Sequence, residues 1–506
     1  MNAPRSRPFA LALVLACAGC SGDPAMESRF SAEREIWRTT REFTRLSIRP
    51  DLVEEEQWRD LANRFEAIGS AYSDVPASAD TGRTSRAADQ TRALAAHAYS
   101  RAGDVYAGIG DTTAAVGAYA AIETAFPDHP VAVGGSVLSR ARIAEARGDT
   151  AAAIEGYRRV LDLVPPRTGV AGVQGAVLQL PLRVARLAAA AGAGDAAYGE
   201  ARSYYEKLVG DGGGNAFEAR SRLIDVATDV KDWNAAIAEM RVLEEEMRAL
   251  DDPPEDPARV RLGIAEAQRF GLGDVAGGMA TLHSVLEEYP GSPSGARALL
   301  ALARLDEGRG RTQEALARLD RLGREFPGET DLVAEGALHR ARILEREDRW
   351  PEALEILRAL PIDHPLTESA LQAPLEIAAH YERGTDPAAF RQALDEAERS
   401  YRETIDRFPD RQFAVAARER LIRVLLAGED HEAALEELLR LGEIARGTAM
   451  GAGYLLSAAR IAETETGEPE RALDLYRLIA DRYPGTEFAE RAAAAIERSS
   501  GAGGSP

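Results

Sequence analysis

Lysine is almost absent from this chain of 506 residues: Lys207 and Lys231 are the only two, so its positive charge is nearly all arginine. Neither follows a glycine or precedes Ser or Thr, which excludes a phosphate-cradling Walker loop. Cysteine is as scarce. Cys17 and Cys20 stand alone near the N-terminus, so thiolate zinc sites and internal disulfide frameworks are excluded. Aromatics are 6% of the chain, too few for the β-rich sandwiches and barrels. Basic charge is in deficit, 61 Lys and Arg against 82 Asp and Glu for a net charge of -21. Nucleic acid, which needs a surplus of cations, is therefore excluded as an expected partner. Beyond residue 20 no apolar run approaches the roughly 20 residues of a membrane-spanning helix. What the chain does have is alanine, 45% hydrophobic residues and 25 prolines, a mixture suited to closely packed helices. Length alone predicts about three domains or one extended array.

The first twenty residues read as an address. Arg5 and Arg7 precede an apolar, small-residue run from Phe9 to Gly19, the form of a signal-peptide core. The run ends Leu15-Ala16-Cys17-Ala18-Gly19-Cys20, which resembles the lipobox of bacterial lipoproteins through Ala18, Gly19 and Cys20; Cys17 stands where Leu is usual. The resemblance implies cleavage before Cys20 and acylation of that cysteine, and two or more acyl chains give stable anchoring. Ser21 in place of Asp points, within the same resemblance, to the outer membrane.

A repeat fills the rest. Ala115 and Tyr119, and again Ala153 and Tyr157, follow a Gly-Asp turn and lead to a proline, Pro127 or Pro165. The same frame recurs as Gly278, Leu282, Pro290; Ala315, Leu319, Pro327; Ala353, Leu357, Pro365; Ala397, Tyr401, Pro409; and Ala472, Tyr476, Pro484. Ala434 with Leu438 keeps the frame without a proline, and Ala236 with Met240 and Ala201 with Tyr205 fill the gaps. These ten anchors lie 35 to 48 residues apart. A small residue lets two helices cross closely, the bulky residue one turn on fills the gap, and proline ends the helix. A lone helix pair cannot bury its apolar face, so stacked pairs share one core.

These positions resemble the tetratricopeptide repeat, best in Gly103, Tyr106, Ala115, Tyr119 and Pro127. The resemblance spans about residues 86–497 and implies an all-α fold, an α-solenoid of about ten helix pairs. Endings such as Tyr289-Pro290-Gly291-Ser292 and Tyr483-Pro484-Gly485-Thr486 are similar to bacterial envelope versions, among them outer-membrane assembly lipoproteins and the coordinator of the Tol–Pal system. The expected organisation is a signal peptide over 1–20, a helical cap and linker over 21–85, the array over 86–497 and a disordered tail over 498–506. Within the cap, Leu61, Phe65, Ile68 and Tyr72 form one stripe, and Trp37 and Trp58 lie on amphipathic faces.

Chemistry is sparse. No two of the seven histidines have HExxH spacing, and His129 and His364 fall in Asp-His-Pro turns. Gly271-Leu272-Gly273 follows no strand and is no dinucleotide fingerprint. Glu368-Ser369-Ala370 and Gly451–Leu456 faintly resemble two lytic transglycosylase motifs, but they lie too far apart and the repeat register runs through both. No catalytic residue, metal site, cofactor or small-molecule substrate is expected.

The best candidate site is a recurring Ala-Arg-apolar-x-Glu on the first helix of a pair: Arg142 and Glu145, Arg304 and Glu307, Arg342 and Glu345, Arg460 and Glu463. Two readings stand. The arginines and glutamates line a concave groove and grip an extended partner, or they are intrahelical i,i+3 pairs that each stiffen a helix by about 0.2–0.5 kcal/mol. Trp233 and Trp350, three residues before an anchor, pack at a helix start or offer a glycan a stacking face. The functional expectation is a non-catalytic adaptor, lipid-anchored in the cell envelope, that binds envelope proteins or peptides. A peptidoglycan- or exopolysaccharide-associated module is the alternative.

Overall fold

The computed structural model describes residues 24–48, 53–75, 83–164, 171–409 and 412–502; the leader, Cys20 and Pro165 lie outside them. Among the described residues there are 23 α-helices and no strand. After α1 (Pro24–Leu46) and α2 (Glu55–Ala71) come ten helix pairs. Four begin before residue 240: α3 (Arg83–Gly108) with α4 (Thr112–Ala125), α5 (Pro130–Ala146) with α6 (Thr150–Leu163), α7 (Ala171–Ala190) with α8 (Gly194–Asp211), and α9 (Ala216–Asp229) with α10 (Trp233–Arg248). Next come α11 (Pro257–Glu266) with α12 (Val275–Glu288), α13 (Pro293–Gly308) with α14 (Thr312–Glu325), and α15 (Thr330–Arg346) with α16 (Trp350–Asp363). The last are α17 (Glu368–Glu382) with α18 (Pro387–Arg407), α19 (Gln412–Ala427) with α20 (His431–Ile444), and α21 (Ala449–Thr464) with α22 (Pro469–Arg482), closed by α23 (Glu487–Ala502).

The chain divides into two compact units, Met1–Glu239 and Met240–Pro506, with the boundary inside α10. Within each, helices pack on their neighbours in sequence, and several first helices also touch the first helix of the next pair, as α13 touches α15 and α15 touches α17. All ten expected anchors lie on second helices and are buried, Gly278 included. The residue four places on is buried in nine pairs and half-buried at Met240.

Two local devices repeat the frame. Before each helix-ending proline the backbone leaves the helical region: Phe126 lies at φ -132°, ψ 50° and Phe408 at φ -132°, ψ 51°. The proline ring excludes its predecessor from the α region, so the helix stops there. Between the helices of nine of the ten pairs the chain turns through one left-handed residue, glycine in six, as at Gly110, Gly148 and Gly310, but Lys231, Asp348 and Glu429 in three. The following N–H then reaches back to a carbonyl in the last turn, as Asp149 does to Ala144 at 2.9 Å.

The N-terminal helices join the first pair. Leu61, Ala62 and Phe65 share a core with Ala102, Val105, Tyr106, Ala115 and Tyr119, and Trp58 packs on its edge. The Tyr106 hydroxyl donates to Asn63 at 2.6 Å. Trp37 does not pack; it is 59% exposed on the outer face of α1. At the other end α23 runs to Ala502, past the expected boundary at 497, and its Ala492 and Ala495 are buried in the core of the second unit.

Candidate interaction surface

The eight residues of the Arg/Glu pattern all fall on first helices: Arg142 and Glu145 on α5, Arg304 and Glu307 on α13, Arg342 and Glu345 on α15, Arg460 and Glu463 on α21. Among the described residues the i,i+3 partners form no ion pair; instead Glu145, Arg304, Glu307, Arg342 and Glu345 bridge to neighbouring first helices. Arg342 reaches Glu376 on α17 at 2.6 Å, and Arg304 reaches Glu335 on α15. In the other direction Glu345 takes Arg383 at 2.6 Å and His380 at 2.7 Å from α17. Glu307 takes Arg346 from α15, with the His339 ring 2.7 Å away but not hydrogen-bonded, and Glu145 takes Arg183 from α7. The carboxylates lie low and the guanidiniums half-exposed above them, so each bridge is worth about 0–1 kcal/mol and their effect is chiefly to hold register.

Tyrosine completes some of these carboxylates. Tyr157 donates to Glu145 at 2.6 Å and Tyr476 to Glu463 at 2.8 Å, each from the second helix of the same pair. Burial first, then the bonded carboxylate, pushes each phenol up to about 12, so both remain donors at any ordinary pH. Burial alone raises the Glu145 carboxyl, but Tyr157 and Arg183 outweigh it and hold the group below its usual value. Where the pair has leucine instead, at Leu319 and Leu357, the matching carboxylates lie beside His339 and His380.

Two tyrosines do something the sequence pattern does not announce. Pro181 interrupts α7 and Pro374 interrupts α17. The Tyr205 hydroxyl stands between Leu178 C=O, to which it donates at 2.7 Å, and Leu182 N–H, from which it accepts at 3.3 Å. Those two groups bond directly in a regular helix. Tyr401 repeats the arrangement beside Pro374, donating to Leu371 C=O at 2.7 Å with the Leu375 N–H alongside. Each phenol is inserted into a proline-opened turn and satisfies buried backbone groups that would otherwise be orphaned. The signal, Gln-x-Pro-Leu at 179–182 and 372–375 ahead of an anchor tyrosine, is visible once known.

Three buried carboxylates also escaped the sequence. Asp306 is held by Arg311 and Arg318, both at 2.5 Å, Glu244 by Arg261 at 2.6 Å, and Glu437 by Arg440 at 2.9 Å and by Arg418. Nothing in their neighbourhood distinguishes them from solvated residues until the helices are stacked.

A hollow of about 290 Å³ in the first unit gathers four arginines around the Glu145 carboxylate. Its wall includes Arg142 from α5, Gln179, Arg183 and Arg186 from α7, and Arg222 from α9. Arg183 is engaged by Glu145, Arg186 by Asp229 at 2.6 Å, and Arg222 by Glu218 at 2.5 Å and Asp225 at 2.9 Å. Arg142 is exposed and makes no ion pair among the described residues. An anion entering the hollow meets one free guanidinium and three whose donors are shared.

The remaining candidates are structural. His129 and His364 cap helices at the turns between pairs. Gly271-Leu272-Gly273 follows a π-helical turn, Ala267–Gly271, that ends α11. Glu368 pairs with Arg420, and Gly451–Leu456 sits four helices later in α21. Trp350 lies flat on His380, ring centroids 3.5 Å apart at 4°, so one ring face is occupied; its N–H donates to Tyr381 at 3.3 Å.

A family model of the tetratricopeptide repeat matches residues 259–292 and 297–328, the segments of α11–α12 and α13–α14. No curated protein matches the chain. Among solved structures it is similar to a tetratricopeptide repeat protein from Parabacteroides merdae, at 15% identity over 56% of this chain and 100% of that one with a TM-score of 0.29. It is also similar to yeast Tom70, at 11% identity over 94% and 96% with a TM-score of 0.31. A third likeness is to Naa15/Naa10 bound to HypK-THB, at 15% identity over 80% and 66% with a TM-score of 0.32.

Proposed function

We propose that this chain is a non-catalytic scaffold of the bacterial cell envelope, anchored by lipid on Cys20, whose first-helix hollow around Arg142 receives an acidic segment of a protein partner. The carrying observation is the single unpaired guanidinium of Arg142 among three engaged ones. A carboxylate of the partner takes Arg142 in a charge-assisted bond and shares the neighbouring donors, without the chain first having to break a bridge of its own. The tetratricopeptide repeats are consistent with this, since helix-pair arrays present extended faces to other proteins. The anchor rests on the leader and on Ala18-Gly19-Cys20. The outer-membrane assignment rests on Ser21.

Crosslinking in cells followed by purification tests the binding reading. The parent chain recovers protein partners, and Arg142→Glu loses them while keeping its helical content; recovery of cell-wall glycan without protein contradicts it. Cys20→Ala tests the anchor: the variant leaves the membrane fraction in a high-salt wash, and retention after that wash contradicts lipidation.

A further inference from the structure

α1 carries more than its packing needs. Its inner face, Ala32, Ile36, Thr39 and Leu46, is buried. Its outer face is basic and partly apolar, with Glu27 its one exposed carboxylate. Phe30 and Trp37 are 59% exposed, and Ile48, just past the helix end, is 74% exposed. Between them Arg34, Arg38, Arg41 and Arg45 are exposed along the same stripe, and none makes an ion pair among the described residues. The Arg41 guanidinium lies 5.6 Å from the Trp37 ring centroid, so cation and aromatic share one patch. Elsewhere many of the chain's arginines are engaged by carboxylates, and its net charge is -21. A run of unpaired cations with large apolar side chains among them is therefore out of character for the molecule.

We propose that this face of α1 is a docking surface for an anionic lipid bilayer. From Phe30 to Ile48 the stripe extends about 27 Å, long enough to lie along a surface and not across one. Guanidiniums suit lipid phosphates, and Trp and Phe are the side chains that settle at the headgroup level. No described helix is long and apolar enough to cross a membrane. Position agrees. Three residues separate Cys20 from Pro24, so a bilayer holding an acyl chain on Cys20 lies within about 14 Å of the start of α1. That last argument rests on the proposed anchor; the charge and the exposed aromatics do not. Lipid is favoured over an acidic protein because the aromatic and aliphatic side chains are spread singly along the stripe instead of gathered into a pocket.

The test is sedimentation of the chain beginning at Ser21, which keeps every described residue, with vesicles of phosphatidylglycerol mixed into phosphatidylcholine and with vesicles of phosphatidylcholine alone. Binding to the anionic vesicles and not to the neutral ones is expected. The triple variant Arg34→Ser, Arg38→Ser, Arg41→Ser, checked for an unchanged circular dichroism spectrum, loses about 100-fold in affinity. Trp37→Ser loses less and sheds the blue shift of tryptophan fluorescence. No binding to anionic vesicles, or equal binding by the triple variant, overturns the proposal. So does a parent that self-associates through this face, losing the association in the triple variant, because the occupant is then a second copy. Since the tested chain lacks Cys20, its failure leaves the anchor standing, and retention of full-length Cys20→Ala after a high-salt wash refutes the anchor alone.

Discussion

The pairs over residues 83–211 and those over 257–363 share one helix frame and differ at one recurring position. Four residues after the anchor the first region has Tyr119, Tyr157 and Tyr205, and the second has Leu282, Leu319 and Leu357. A tyrosine brings a hydroxyl into the crossing, and in the first region it satisfies a polar group of its own pair: Asp104, Glu145 or the opened backbone beside Pro181. A leucine brings none. Glu307 of α13 and Glu345 of α15 are bonded from the next pair instead, by Arg346 and by His380 and Arg383. A buried carboxylate, Asp306, lies in the second region and ties α13 to its own partner α14 through Arg311 and Arg318, while the first region has none among its described residues. Both regions also tie pair to pair, through Glu145 and Arg183 in the first and through Glu307 and Glu345 in the second; what differs is the tyrosine hydroxyl at the crossing, present only in the first.

Breaking the comparison at its deepest polar contacts has the largest effects. Asp306→Ala leaves Arg311 and Arg318 facing an apolar crossing and costs about 3 kcal/mol, read as a lower denaturation midpoint of the second unit. Tyr205→Phe keeps the ring and removes only the hydroxyl, orphaning Leu178 C=O and Leu182 N–H. It costs about 2 kcal/mol, with faster amide exchange confined to α7 and α8.

Burial lowers the pKa of a histidine in each region, His97 in the first and His339 in the second. Burial, helped by Arg304 and Arg342 and opposed by Glu335, holds the His339 imidazole below its ordinary value. A histidine whose folded pKa is depressed is kept neutral by the fold, while the unfolded chain takes up the proton. Stability is therefore complete above about pH 6.5 and lost as the pH falls below it. Denaturation of the parent at pH 7.5 and 5.5 shows this loss, and His339→Gln reduces it. In the Tyr157 contact the phenol titrates only at about 12, while its partner Glu145 is held below its usual value and loses its contribution only as the pH falls through that depressed value. The smallest effect is at the turns. Asp348 adopts φ 56° where Gly148 serves the first region at φ 79°, and Asp348→Gly raises stability by about 0.5 kcal/mol, seen as a small rise in Tm.

The helix frame was legible in the sequence because it depends on spacing along the chain: a small anchor, a bulky residue one turn on, and a proline that bars its predecessor from the helix. Even the doubtful anchor Ala201 is buried where the frame puts it. Pairing was not legible. Arg342 and Glu345 lie close in sequence, but the fold places Glu376 and Arg383 of the neighbouring first helix within reach, and stacking decides that contact. Trp37 was placed on an amphipathic face, and the alternation along α1 could not say that this face looks outward.

The account's central claim is that the hollow around Arg142 receives a partner. The direct measurement is a photoreactive residue in place of Gln179, exposed on the wall of that hollow, activated in living cells. A discrete protein adduct at this position, abolished when Arg142→Glu is added, is the predicted result. No adduct, or an adduct that Arg142→Glu leaves unchanged, contradicts it.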